Sequence, residues 1–133
     1  MSGREIALVG VGGAIGTLMR YGAIRAFPIE PGSFPTTILV VNLIASIALG
    51  YLLAVLSHRP DLRTLLVPGV VGGFGTLSLV AVEVVQLWDG GHALTSVTYL
   101  LATVAGGIVC VIAGLALGRH PILRPPMPEE DML

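Results

Sequence analysis

Asn42, Ser46 and Gly50 stand four residues apart in an otherwise apolar stretch, which on a helix places them along one face. Thr95, Tyr99, Thr103 and Gly107 repeat that interval later in the chain, Thr76 and Ser78 follow a glycine run with Glu83 beyond them, and Arg20 lies late in the first apolar stretch. Amides and hydroxyls can replace water around a small anion without burying a fixed opposite charge that would trap it. No nucleophile with its base, carboxylate dyad or metal-ligand cluster accompanies them, so the pattern points to a transport pathway rather than an enzyme. A lone hydroxyl such as Ser46 or Thr103 also serves as an ordinary interhelical hydrogen bond. Asn42 is more pointed, because an amide deep in an apolar run is costly unless paired. Arg20 and Glu83 face an interior or pathway, pair with each other, or snorkel from helix ends.

The elements that carry these groups follow from composition. Of 133 residues, 54% are hydrophobic and only 11% charged, against about 25% in an ordinary soluble domain. Seven arginines and no lysine are balanced by eight acids, so no basic footprint for nucleic acid exists. Four apolar runs, about 6–27, 36–56, 64–88 and 93–117, each approach the roughly 20 residues needed to cross a bilayer core. Backbone groups in lipid must be satisfied within the chain, so the spans are helices and the class is all-α, with one transmembrane domain over 1–118. The proline-rich, acidic segment 119–133 reads as a flexible cytoplasmic tail. Cys110 stands alone, and His58, His92 and His120 have no ligand spacing, so neither a disulfide nor a metal cluster is indicated.

Small residues supply helix association where apolarity cannot. Gly12 and Gly16, Gly114 and Gly118, and Ser46 and Gly50 are pairs of that kind, and so slender a protomer is expected to form an oligomer. The third run differs: Pro68, Gly69, Gly72, Gly73 and Gly75 do not favour an unbroken helix. A break near Gly72–Gly75 would free carbonyls able to hold a hard cation; alternatively, the glycines only permit a tight helix crossing.

In order along the chain, these segments resemble the motifs of the CrcB/Fluc family of fluoride channels, over nearly everything but the tail. GGAIGTLMRY, from Gly12 to Tyr21, is similar to GGxxGxxxRY; VNLIASIALG, from Val41 to Gly50, to VNxxGSFxxG; and GGFGTLSLVAVE, from Gly72 to Glu83, to GGxTTFSTFxxE. Tyr99 and Thr103 fit a Tyr-x-x-x-Ser/Thr pattern. The resemblance implies a fluoride-specific channel subunit that lowers cytoplasmic fluoride by passive efflux across the plasma membrane. It also implies an antiparallel, dual-topology-type dimer with two pathways at its interface. Asn42, Ser46, Thr76, Ser78, Tyr99, Thr103 and Arg20 are then the candidate fluoride pathway. Gly72 and Gly75 are the candidate carbonyl ligands of a structural, non-transported Na⁺, although the family has Thr where Gly75 stands. The family's pore phenylalanines fall at Leu77 and Val80, its third-span Thr at Leu79, and its second-span Gly and Phe at Ala45 and Ile47.

Charge bias adds a partner. Arg4, Arg59, Arg63, Arg119 and Arg124 lie on the side of the termini and Arg20 and Arg25 toward the other, which predicts cytoplasmic termini and a single insertion orientation. A chain that inserts one way needs an oppositely oriented homologue to make an antiparallel pair. A heterodimer is therefore favoured over a homodimer, with the partner supplying the missing phenylalanines. Two other readings remain: a non-conducting structural partner subunit, and a small four-helix proton-coupled drug exporter, which would want a carboxylate within its first span, where Glu5 stands only at the edge.

Overall fold

α1 (Gly3–Ala26) and α2 (Thr36–Val55) precede a third span assembled from α3 (Pro60–Thr64), a π-helical segment (Leu65–Val71), α4 (Gly72–Phe74) and α5 (Leu77–Asp89), and α6 (Ala93–Arg119) follows. This computed structural model describes residues 1–122; of the expected tail, Arg119 still belongs to α6, and 123–133 lie outside the described residues. The described chain is all-helical, and α1, α2, the third span and α6 are each long and apolar enough to cross a membrane. Leu18, Leu101 and Val109 are exposed on the outside, a surface suited to lipid and not to water.

Local sequence sets the starts of α1 and α3. Ser2 and Glu5 form a reciprocal capping box on α1, in which the Ser2 N–H donates to Glu5 Oε2 at 2.7 Å and the Glu5 N–H to Ser2 Oγ at 3.3 Å. Pro60 opens α3 at a position where its missing N–H costs nothing. Pro68 sits about two turns on, where an α-helical register would lose a hydrogen bond and set its ring against a preceding carbonyl. The backbone there runs in the wider π form.

Glycine determines which helices meet. Cβ atoms at Gly12 and Gly16 would fall onto the Leu65 and Val70 carbonyl oxygens, and one at Gly73 onto the Gly13 carbonyl, so α1 and the third span touch backbone to backbone. The second seam joins α2 to α6: Gly50 lies on the Val111 carbonyl, Gly114 on the Ile47 carbonyl and Gly118 on Ala54. In lipid such close approach supplies dispersion contact that bulky apolar side chains would prevent. Between the two seams the core is small. Ile38, Val80 and Tyr99 form it, with Phe34 edge-on to the Tyr99 ring at 5.6 Å between centroids. Ser96 Oγ donates to the Val84 carbonyl at 2.7 Å and ties α6 to α5. At the end of the fold that carries the N-terminus, Arg4 pairs with Asp61 at 2.7 Å, an exposed contact worth little to stability.

Candidate ion pathway

Between α4 and α5 the chain leaves helical geometry for two residues: Gly75 has φ −72°, ψ 154°, and Thr76 φ −155°, ψ 114°. Backbone polar groups exposed there would be expensive in an apolar environment. Asn42, reaching across from α2, satisfies them. Its Oδ1 accepts from the Thr76 N–H at 2.7 Å and its Nδ2 donates to the Thr76 carbonyl at 3.2 Å, so the amide acts as a peptide group facing a peptide group. That pairing also fixes which end of the amide is nitrogen, since a backbone N–H can only donate and a carbonyl only accept. Thr76 then caps α5, its Oγ1 accepting from the Leu79 N–H at 3.2 Å and sharing a hydrogen bond with Ser78 Oγ at 3.0 Å.

Two carbonyls lose their helical partners as a result. In an unbroken helix the Thr76 N–H would go to Gly72 and the Leu79 N–H to Gly75; here both are given to side-chain oxygens. Gly72 and Gly75 also line the open cleft of about 890 Å³ that runs beside the interruption.

Asn42, Ser46, Thr76 and Thr103 come together on that same cleft, within walls supplied largely by Val67, Val71, Val104 and Val111. One hydrogen of the Asn42 amide is spent on Thr76, and an amide has two. The hydroxyls of Ser46 and Thr103 donate back to the carbonyls of Asn42 and Tyr99 at 2.8 Å, so at rest they present lone pairs and must swing out to donate. Each swing gives up one intrahelical hydrogen bond, about 1 kcal/mol.

Other sequence candidates lie elsewhere. Ser78 is exposed and not among the residues lining the cleft, and it touches the site only through Thr76. Tyr99 is fully buried in the core and does not line the cleft, its hydroxyl without a hydrogen-bond partner among the described residues. Arg20 is half-buried on α1, away from the cleft, and forms no ion pair with Glu83 or any other described residue. Leu77 is 77% exposed at the cleft edge, whereas Val80 is buried in the core beside Tyr99. Gly50 and Gly107 separate in the same way. Gly50, last of the α2 stripe, is a packing residue against α6, while Gly107 lines the cleft.

Two contributors carried no mark of a role at the site: the sequence showed Ala45 only as a departure from the family motif and Phe34 not at all. Ala45 lies on the cleft against Gly75, and Phe34 holds the Tyr99 ring from a connector where nothing marked it.

Residues 7–115 match the family model described as CrcB-like protein, Camphor Resistance (CrcB). Among curated proteins the chain is similar to the fluoride-specific ion channel FluC of Paracoccus denitrificans, with 41% identity over 84% of this chain and 91% of that one. It is also similar to the proteins of the same name from Chelativorans sp., 39% identical over 86% of this chain and 96% of the relative, and Agrobacterium fabrum, 38% identical over 87% and 97%.

Proposed function

Since the chain belongs to the CrcB-like family, whose curated relatives named above are ion channels and not enzymes, we propose that it is a subunit of a fluoride-specific channel that lowers cytoplasmic fluoride by passive efflux. The observation that carries this reading is the convergence of Asn42, Ser46, Thr76 and Thr103, from three different spans, on one apolar-walled cleft. Fluoride crosses membranes inward as neutral HF and dissociates at cytoplasmic pH, so a downhill anion path relieves it without ATP. The path must exchange the hydration shell for protein donors, and must do so weakly enough to let the ion go. The uncommitted Asn42 N–H and the rotatable Ser46 and Thr103 hydroxyls meet that requirement, in walls that are otherwise apolar.

The active form in this reading is an antiparallel dimer in the plasma membrane, favoured as a heterodimer with an oppositely inserted homologue. The cleft lies open on the protomer's surface, and Leu77 stands at its edge without the aromatic ring whose positive rim could face an anion. A partner that inserts the other way can cover the one and supply the other. The arginine bias, five against two, supports termini in the cytoplasm.

The interruption fits a hard monovalent cation, because the Gly72 and Gly75 carbonyls are left without helical donors and border the same cleft. Those two oxygens would hold a structural Na⁺, which would supply charge to brace the interruption and would not be transported. The absence of a side chain at Gly75 leaves a backbone ligand intact.

A non-conducting partner role is the second reading, favoured by the hydroxyls' commitment to their own helices and by Leu77 and Val80. Growth of a fluoride-hypersensitive bacterium lacking its own channel separates the two. Expression of this chain with an oppositely oriented homologue is expected to restore growth in millimolar fluoride, and Asn42→Asp in this chain to abolish the rescue. Rescue untouched by that substitution would support the structural role. Full rescue by this chain alone as an antiparallel homodimer would end the heterodimer proposal.

A further inference from the structure

Gly75 is not glycine for conformational reasons, since its φ of −72° and ψ of 154° are open to any residue. What crowds a side chain there is Ala45. A methyl at position 75 would lie 3.0 Å from the Ala45 Cβ and 3.5 Å from Asn42 Oδ1, against about 3.5–4.0 Å for an ordinary carbon contact. Ala45 is buried and has no room to retreat, because α2 behind it is seated on α6 with Gly50 on the Val111 carbonyl and Gly114 on the Ile47 carbonyl. Asn42 is one helical turn from Ala45 on the same face, so pushing α2 away at Ala45 pulls the amide off Thr76.

We infer that Ala45 and Gly75 form a coupled positioning pair: the Ala45 methyl crowds the position a side chain at 75 would take and thereby sets the distance at which Asn42 spans the interruption. Neither residue donates to an ion. Their effect on transport passes through Asn42 and rests on the channel reading; their effect on folding rests on geometry alone.

The test is a double-substitution cycle on the full chain, assembled as it is isolated from the membrane, read by thermal unfolding in detergent and by fluoride efflux from liposomes. Gly75→Ala is expected to lower the unfolding midpoint and to slow efflux about tenfold, through overpacking. Adding Ala45→Gly is expected to bring both readings back to within about twofold of Ala45→Gly alone, the signature of coupled neighbours. In an Asn42→Ala background, Gly75→Ala should slow efflux no further. Additive losses in the double variant, or a further loss in the Asn42→Ala background, overturn the inference. If Gly75→Ala fails to fold, recovery of a folded double variant supports the pair and a second failure overturns it. A wild-type chain that folds without moving fluoride defeats the channel reading instead, and the unfolding cycle still decides the pair.

Discussion

Asn42→Asp is expected to slow the fluoride efflux that exceeds that of protein-free liposomes about hundredfold at every pH, with no pH at which the wild-type rate returns. The amide performs two tasks, one on each side. Toward Thr76 it accepts at 2.7 Å and donates at 3.2 Å; its second N–H is left over, on a residue that lines the cleft. An ionised carboxylate can still accept from the Thr76 N–H, but it sets an oxygen against the Thr76 carbonyl and a negative charge in the proposed fluoride path. A protonated carboxyl repairs the first fault, because its single O–H can donate to the Thr76 carbonyl. It then has no donor left for the ion. Folding and transport should therefore separate: acid restores the thermal stability of the variant toward that of the parent, while efflux stays low. The unfolding midpoint against pH and the electrode rate against pH are the paired measurements. Equal efflux for variant and parent would mean that the second N–H carries nothing.

The largest expected effect on folding is at Gly16. A Cβ there coincides with the Val70 carbonyl oxygen and crowds the Phe74 nitrogen, both backbone atoms that cannot rotate aside. Gly16→Val must part α1 from the third span and is expected to cost about 3 kcal/mol, a fall of roughly 10 °C in unfolding midpoint. Gly22, on the same helix, meets nothing within 4 Å of an added Cβ. Gly22→Ala is expected to leave the midpoint unchanged or raise it slightly, since alanine is about 1 kcal/mol better than glycine inside a helix. Thermal unfolding of the two variants side by side checks this. Similar losses at both positions would show that the glycines act through backbone freedom and not through the seam.

The four spans were legible because lipid imposes a simple demand: about twenty apolar residues with no unsatisfied backbone. Asn42 was legible for the converse reason, as a group too polar for its surroundings. Its partner was not. Nothing in local spacing says that an amide at 42 will meet the backbone at 76, because that contact depends on how two distant spans cross. Hydroxyl direction was equally hidden. The α6 stripe from Thr95 to Gly107 satisfies one helical spacing, yet it divides in space: Thr103 reaches the cleft, while Tyr99 packs inward against Phe34. A four-residue interval drifts around a helix, and the neighbours decide which members face the opening. Ala45 and Gly75 show the same limit most clearly. Read along the chain they were two unrelated departures from the family motifs; in space a methyl on Gly75 would press on the methyl of Ala45 at 3.0 Å.

Fluoride release from liposomes, followed with a fluoride electrode, tests the central claim most directly. With the chain reconstituted beside an oppositely oriented homologue, fluoride should leave rapidly down its gradient once a potassium ionophore balances charge, and chloride under the same gradient should stay. No fluoride release from that pair or from the chain alone, or chloride leaving as fast as fluoride, would contradict the assignment of the Asn42 cleft as a fluoride path.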